Sequence, residues 1–117
     1  MSKYSKAIPH KAIHFIVHKK QVDKKKILKS SILFSQVELA IDQTISSYKH
    51  LLLENPTSVD FNFVKQAHLN DQLIVKNRII KLTKTQVELG ILVLKKQKDH
   101  HDLICEASIE YQFKKAS

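Results

Sequence analysis

The chain of 117 residues is short of the residues that build several common sites. A single glycine, Gly90, excludes Gly-rich phosphate loops of the P-loop or Rossmann kind, which need several. A single cysteine, Cys105, excludes an internal disulfide and fits a reducing compartment, so a cytoplasmic protein is expected. Tryptophan is absent. The aromatics that alternate along strand patterns are expected on core faces, not on an exposed platform that stacks nucleic-acid bases. No apolar run approaches the ~20 residues of a membrane span, and the run around Gly90 to Leu94 is far short of it. The opening MSKYSKAIPHK lacks the apolar stretch of a secretory signal, so none is expected. Acids are also the minority, 11 against 20 Lys and Arg, giving a net charge of +9. That balance favours anionic partners, whether nucleic acid, phosphorylated cofactors or acidic lipid surfaces; lysines scattered through strands also serve solubility alone.

What is present is enough for one core, so residues 1–117 are expected to form a single domain, with the polar residues 1–10 poorly tied down. The stretch Ser30 to Leu53 organises it. Leu33, Val37, Ala40, Ile41, Ile45, Tyr48 and Leu52 recur at steps of three and four, the spacing of one helix stripe about six turns long. Ser30 or Ser31 is expected to cap its start, and Asn55-Pro56 to end it. Ahead of it, Ala12 to His18 alternates as a strand, and the charged residues 19–29 read as a loop. Behind it come Val59, Phe61 and Phe63; then Leu73 to Leu82, irregular at Ile79-Ile80; then Val87 to Val93; then a strictly alternating strand from Leu103 to Lys114. Asn70-Asp71 and residues 98–102 read as turns. The expected architecture is α+β: five antiparallel strands in one sheet wrapped around one long helix.

Few residues suggest chemistry. Seven histidines and Cys105 show no paired ligand spacing, and no metal site is expected. Cys105 is expected inside, as a small core residue. Two carboxylates stand out. Glu38 lies on the helix at the edge of the apolar stripe, where partial desolvation would strengthen it as a base. Asp23 sits in the loop between Val22 and Lys24. The ordinary alternatives are a solvated helix residue for Glu38 and a lysine-paired loop charge for Asp23.

The segments ILFSQVELA (32–40), VDFNFVKQAHLNDQLIVKNRIIKL (59–82) and VHKKQVDKKKIL (17–28) resemble hotdog-fold acyl-CoA thioesterases, over roughly residues 12–114. Glu38 falls on the catalytic acid position of the acyl-CoA hydrolases, and Asp23 on that of the 4-hydroxybenzoyl-CoA type. Three positions depart from the pattern: the loop glycine is Lys26, the small pair before the helix is Ser30-Ser31, and the proline after the second strand is Gln66. The histidine motif of the acyl-thioester dehydratases that share this fold is not evident.

The resemblance implies hydrolysis of an acyl-CoA or acyl carrier protein thioester, in keeping with fatty acid metabolism, by a homodimer or homotetramer with no cofactor beyond the substrate's own coenzyme A. It implies that N–H groups around Ser31 and Ile32 hold the thioester oxygen and that Ser30 and Ser35 contact substrate. Glu38 or Asp23 would then activate water or attack directly. A non-catalytic acyl-CoA-sensing module is the nearest rival; a nucleic-acid-binding protein is a more distant one.

Overall fold

The computed structural model describes residues 12–115; the expectation for residues 1–10 lies outside them. Five strands, β1 (Ala12–Ile16), β2 (Ser58–Phe63), β3 (Gln72–Leu82), β4 (Gln86–Lys96) and β5 (His101–Gln112), form one antiparallel sheet in the order β1-β3-β4-β5-β2. Among the described residues the one α-helix, α1 (Ser30–Ile45), lies on one face. Because side chains alternate across a strand, the register sets which residues meet it. Ile13, Val75, Val93, Cys105 and Phe63 form one row across all five strands; Ile79, Leu89, Ile109 and Val59 form another. Leu33, Val37, Ala40, Ile41 and Ile45 of α1 are buried against this inner face. Fully burying a side chain such as Leu33 contributes roughly 1.5–3 kcal/mol.

The helix departs from expectation at both ends. Lys29, not a serine, is the N-cap, and no side chain caps the first turn. At the other end α1 stops at Ile45, about two turns early. Ser46 and Ser47 favour local hydrogen bonds over helix, and the Ser46 hydroxyl donates to the Gln43 carbonyl at 3.2 Å. From Tyr48 on, bonding tightens to three-residue spacing: the Tyr48 N–H donates to the Ile45 carbonyl at 3.0 Å and the Leu51 N–H to that of Tyr48 at 2.9 Å. Tyr48 and Leu52 keep packing on the core, so the stripe outlasts the helix.

The irregularity expected at Ile79-Ile80 is a bulge between Ile79 and Lys81. A second bulge interrupts the alternation expected to be strict in β5. Val93 pairs Cys105 while Leu94 pairs Leu103, so Ile104 is the extra residue, and it is buried. The turn before β5 is also shorter than expected, since His101 and Asp102 already pair with Lys96 and Lys95.

Candidate active site at the start of the helix

The loop from Val17 to Lys29 brings the chain from β1 to α1, and its own hydrogen bonds hold its shape. Asp23 organises it. One carboxylate oxygen, Oδ1, accepts the backbone N–H groups of Lys25 at 2.9 Å and Ile27 at 3.1 Å, while the Asp23 N–H donates to the Ile27 carbonyl at 2.9 Å. This is an Asx-type turn, in which a short acidic side chain satisfies backbone donors ahead of it. The turn puts Lys26 at φ 65°, in the left-handed region that favours glycine. The departure noted at position 26 therefore falls where the backbone itself asks for glycine.

The loop docks on the segment between β2 and β3. The Leu28 N–H donates to the Ala67 carbonyl at 2.8 Å, and the Leu69 N–H to that of Lys26 at 3.0 Å. Asn70-Asp71 makes the expected turn, with Asn70 at φ 71°. Asp71 Oδ2 accepts the His68 N–H at 2.8 Å, and Asp71 Oδ1 lies 3.3 Å from Lys95 Nζ. Nearby, Gln97 donates to Asp102 at 2.9 Å; that bond, helped by Lys65, His100 and Lys95, holds the Asp102 carboxyl below the ordinary carboxylate range.

At the start of α1, the Ile32 and Leu33 N–H groups both donate to the Lys29 carbonyl, at 3.1 and 3.2 Å. Ile32 therefore has its N–H committed to the helix, and among the described residues the open donors of the first turn are those of Ser30 and Ser31. The Ser35 hydroxyl is engaged too, donating to the Ser31 carbonyl at 2.9 Å.

Glu38 is solvent-exposed, so the burial expected from its place beside the stripe is absent in the single chain. Its direction is set by its neighbours at four-residue steps. Phe34, one turn earlier, packs its ring 4.5 Å from that of Phe61 on β2. Asp42, one turn later, lies with Tyr111 of β5 in a cavity, and its charge adds to burial in pushing the Tyr111 hydroxyl up. Glu38 thus belongs to the helix edge that faces β2, on a strip with Phe34, Phe61 and Phe63. Among the described residues the side of β2 away from β5 is unpaired, and Val59, Phe63 and Val64 are 60%, 45% and 46% exposed. Glu38 and Asp23 are not brought together: one is on this strip, the other in a turn of the lysine loop.

Cavities among the described residues lie elsewhere. One of about 430 Å³ sits at the far end of α1, among Asp42, Ile45, Lys49, Leu52 and Tyr111. Another, about 160 Å³, is on the outer face of the sheet, where a Cβ on Gly90 would come within 2.7 Å of Ile80 Cδ1. Neither is lined by Ser31 or Glu38. Cys105 is buried beneath the helix, its thiol pushed up to about 12 by burial and then by the charge of Glu106. Among the described residues no group of three or more His, Cys, Asp or Glu gathers as a metal site, and no helix is long and apolar enough to cross a membrane.

No protein-family model and no curated protein matches the chain. Solved structures do match its fold. A hypothetical thioesterase protein from Streptococcus pneumoniae, solved with coenzyme A, superposes with a TM-score of 0.72 at 14% identity, over 90% of this chain and 78% of that one. A Streptococcus mutans protein bound to acetyl CoA also gives 0.72 at 14% identity, over 90% and 81%. A 4-hydroxybenzoyl CoA thioesterase mutant in complex with 4-hydroxybenzoyl CoA gives 0.69 at 13% identity, over 89% and 83%. The chain therefore has the hotdog fold of these thioesterase structures, as its sequence leads one to expect.

Proposed function

We propose that this protein is an acyl-CoA thioesterase of the cytoplasm, acting as a dimer with Glu38 as its catalytic carboxylate. The observation that carries the reading is the pairing, on one helix, of open N–H groups at its first turn with an uncommitted carboxylate further along the same side. Ser31 and Glu38 are separated by about 10 Å along the axis. Helical side chains lean toward the N-terminus, which brings the carboxylate back toward the first turn. A thioester whose oxygen meets the Ser30 and Ser31 N–H groups would have its developing negative charge stabilised by those donors and the helix dipole. Glu38 would take a proton from a water molecule as that water attacks the carbonyl carbon, or would attack the carbon directly to form an anhydride that water then hydrolyses; in either case the thiolate leaves and is protonated. Solved structures of the same fold with coenzyme A, acetyl CoA and 4-hydroxybenzoyl CoA support the substrate class.

The strip between α1 and β2 needs a wall to exclude water, and the unpaired side of β2 is where a second copy fits. Pairing two β2 strands would satisfy exposed backbone groups and cover Val59, Phe63 and Val64. Light scattering on the protein at micromolar concentration should show a dimer or a multiple of it; a monomer contradicts this part. The function itself is tested by following free-thiol release from short, long and aromatic acyl-CoAs. Hydrolysis of at least one class supports the reading, whereas tight binding without hydrolysis assigns the chain to a sensing role.

A further inference from the structure

On the sheet face away from α1, the register lines up one row of residues across four strands. Arg78 of β3 pairs Gly90 of β4, Gly90 pairs Ser108 of β5, and Ser108 pairs Asp60 of β2. The two smallest side chains thus stand in the middle of the row, with opposite charges at its ends. Leu92, Glu106 and Asn62 of the next row wall one side. The bulge walls the other: its extra residue, Ile80, lies over Gly90, 2.7 Å from where a Cβ would stand. Together these residues line the cavity of about 160 Å³ on the outer face. The Arg78 stem leans into it, with Cγ 3.6 Å from the same Cβ position.

The polar groups of this trough are uncommitted. Arg78, Ser108 and Asp60 make no side-chain hydrogen bond and no ion pair among the described residues. Glu106 accepts the Asn62 amide on one oxygen, Oε1, at 3.3 Å and keeps the other open. The backbones of Arg78 and Asp60 lie three strand spacings apart, roughly 14 Å, so a ligand between them can meet both. Charge and size then narrow what fits. Asp60 and Glu106 repel a phosphate or a simple carboxylate, and Arg78 repels a simple amine. The volume of about 160 Å³ is well below the ~300 Å³ at which pockets for drug-sized ligands begin, so the occupant is small.

We infer that this trough is a binding site for a free α-amino acid with a short apolar side chain. The ligand carboxylate meets the paired N–H donors of the Arg78 guanidinium, whose planar fork matches it. The ligand ammonium has three donors, and Asp60, the open oxygen of Glu106 and the Ser108 hydroxyl are three acceptors. Ile80 and Leu92 supply the apolar contact for the side chain. Only a small molecule carrying both charges satisfies all of these groups at once. The inference goes beyond the thioesterase reading, because the trough lies across the sheet from α1 and Glu38. It also stays open if two β2 strands pair, since pairing uses the strand edge and not its face.

The test titrates the full chain with L-leucine, followed by calorimetry and by backbone amide chemical shifts. Two controls each lack one charge: 4-methylpentanoate has no ammonium, and isoamylamine has no carboxylate. Leucine should bind saturably with a Kd of about 1 mM or tighter, and each control roughly 10-fold or more weakly. The largest shifts should fall at Gly90 and Ser108, not at Glu38. Arg78→Gln and Asp60→Asn, each checked for wild-type circular dichroism, should weaken leucine binding by roughly 10-fold or more. If either variant fails to fold, Arg78→Lys, which keeps the charge and loses the paired donors, must show a loss in the same direction. The inference is overturned if leucine does not saturate by about 10 mM, if either control binds as tightly, or if Arg78→Gln keeps wild-type affinity. It is also overturned if the shifts gather at the start of α1. A change of mass in Arg78→Gln by light scattering would overturn it too, by making the trough an interface between copies. No thioester is present in the titration, so this inference and the thioesterase reading can fail separately.

Discussion

The lysine loop and the helix it feeds each supply one acidic residue near the start of α1, and the two regions use them in opposite ways. In the loop, the Asp23 carboxylate satisfies two backbone N–H groups and thereby shapes a turn. Past the first turn of the helix, backbone donors are satisfied by the helix itself, so Glu38 holds no backbone in place and its side chain is exposed to solvent. An irregular segment tends to spend its polar side chains on its own backbone, whereas a helix leaves them free and holds them stiffly. A base needs both freedom of its oxygens and stiffness of its support, and only Glu38 has the two together.

This contrast can be broken by showing that Asp23 does not hold the loop. Asp23→Ala removes the acceptor for two amides and should cost about 1–2 kcal/mol in urea unfolding, while Asp23→Asn keeps an acceptor oxygen and should recover most of it. Equal midpoints for Asp23→Ala and wild type would leave the carboxylate with no structural duty. A more gradual effect, spread over several pH units, separates the buried inner face from the exposed helix edge. The Cys105 thiol, pushed up to about 12 from an ordinary 9.0, stays protonated in the folded chain at pH values where the unfolded chain ionises. Its contribution is full below about pH 9 and is lost as pH rises through about 12, so stability should fall by about 1 kcal/mol per pH unit in that window. Burial raises Tyr48 and Tyr111 too, which adds to the same trend at its upper end. Urea midpoints across the alkaline range check it, with Cys105→Ala expected to flatten the slope. The smallest effect has the opposite sign. Lys26→Gly relieves a left-handed residue in the turn that Asp23 shapes, and thermal unfolding should show a gain of about 0.5 kcal/mol, less than the left-handed penalty because glycine loosens the unfolded chain.

Much of the fold was legible in the sequence because period-two and period-three-to-four patterns report directly on which faces are buried. The doubled apolar pair Ile79-Ile80 even marked its bulge. The bulge at Ile104 was hidden because Leu103, Ile104 and Cys105 are all apolar, so either phase of alternation fits them. The early end of α1 was hidden for a related reason: Tyr48 and Leu52 stay in phase with the core while the backbone changes its bonding. At the candidate site, Glu38 and Asp23 were both legible as acids in suggestive places. That Asp23 is occupied, and that Ile32 donates to Lys29 and leaves Ser30 and Ser31 open, depends on local backbone geometry that residue type does not report. The trough around Gly90 was invisible in the chain order. Arg78, Ser108 and Asp60 come from three separate strands, and only the strand register lines them up with it.

The most direct test of the central claim measures turnover of Glu38→Gln and Asp23→Asn side by side, on whichever acyl-CoA the wild-type protein hydrolyses fastest, with substrate affinity measured separately. Glu38→Gln keeps the shape and removes the charge, so turnover should drop by roughly 100-fold or more while affinity changes little. Asp23→Asn should stay within a few fold of wild type. A dead Asp23→Asn beside a fully active Glu38→Gln would contradict the account, and full activity in both would remove either carboxylate from the chemistry.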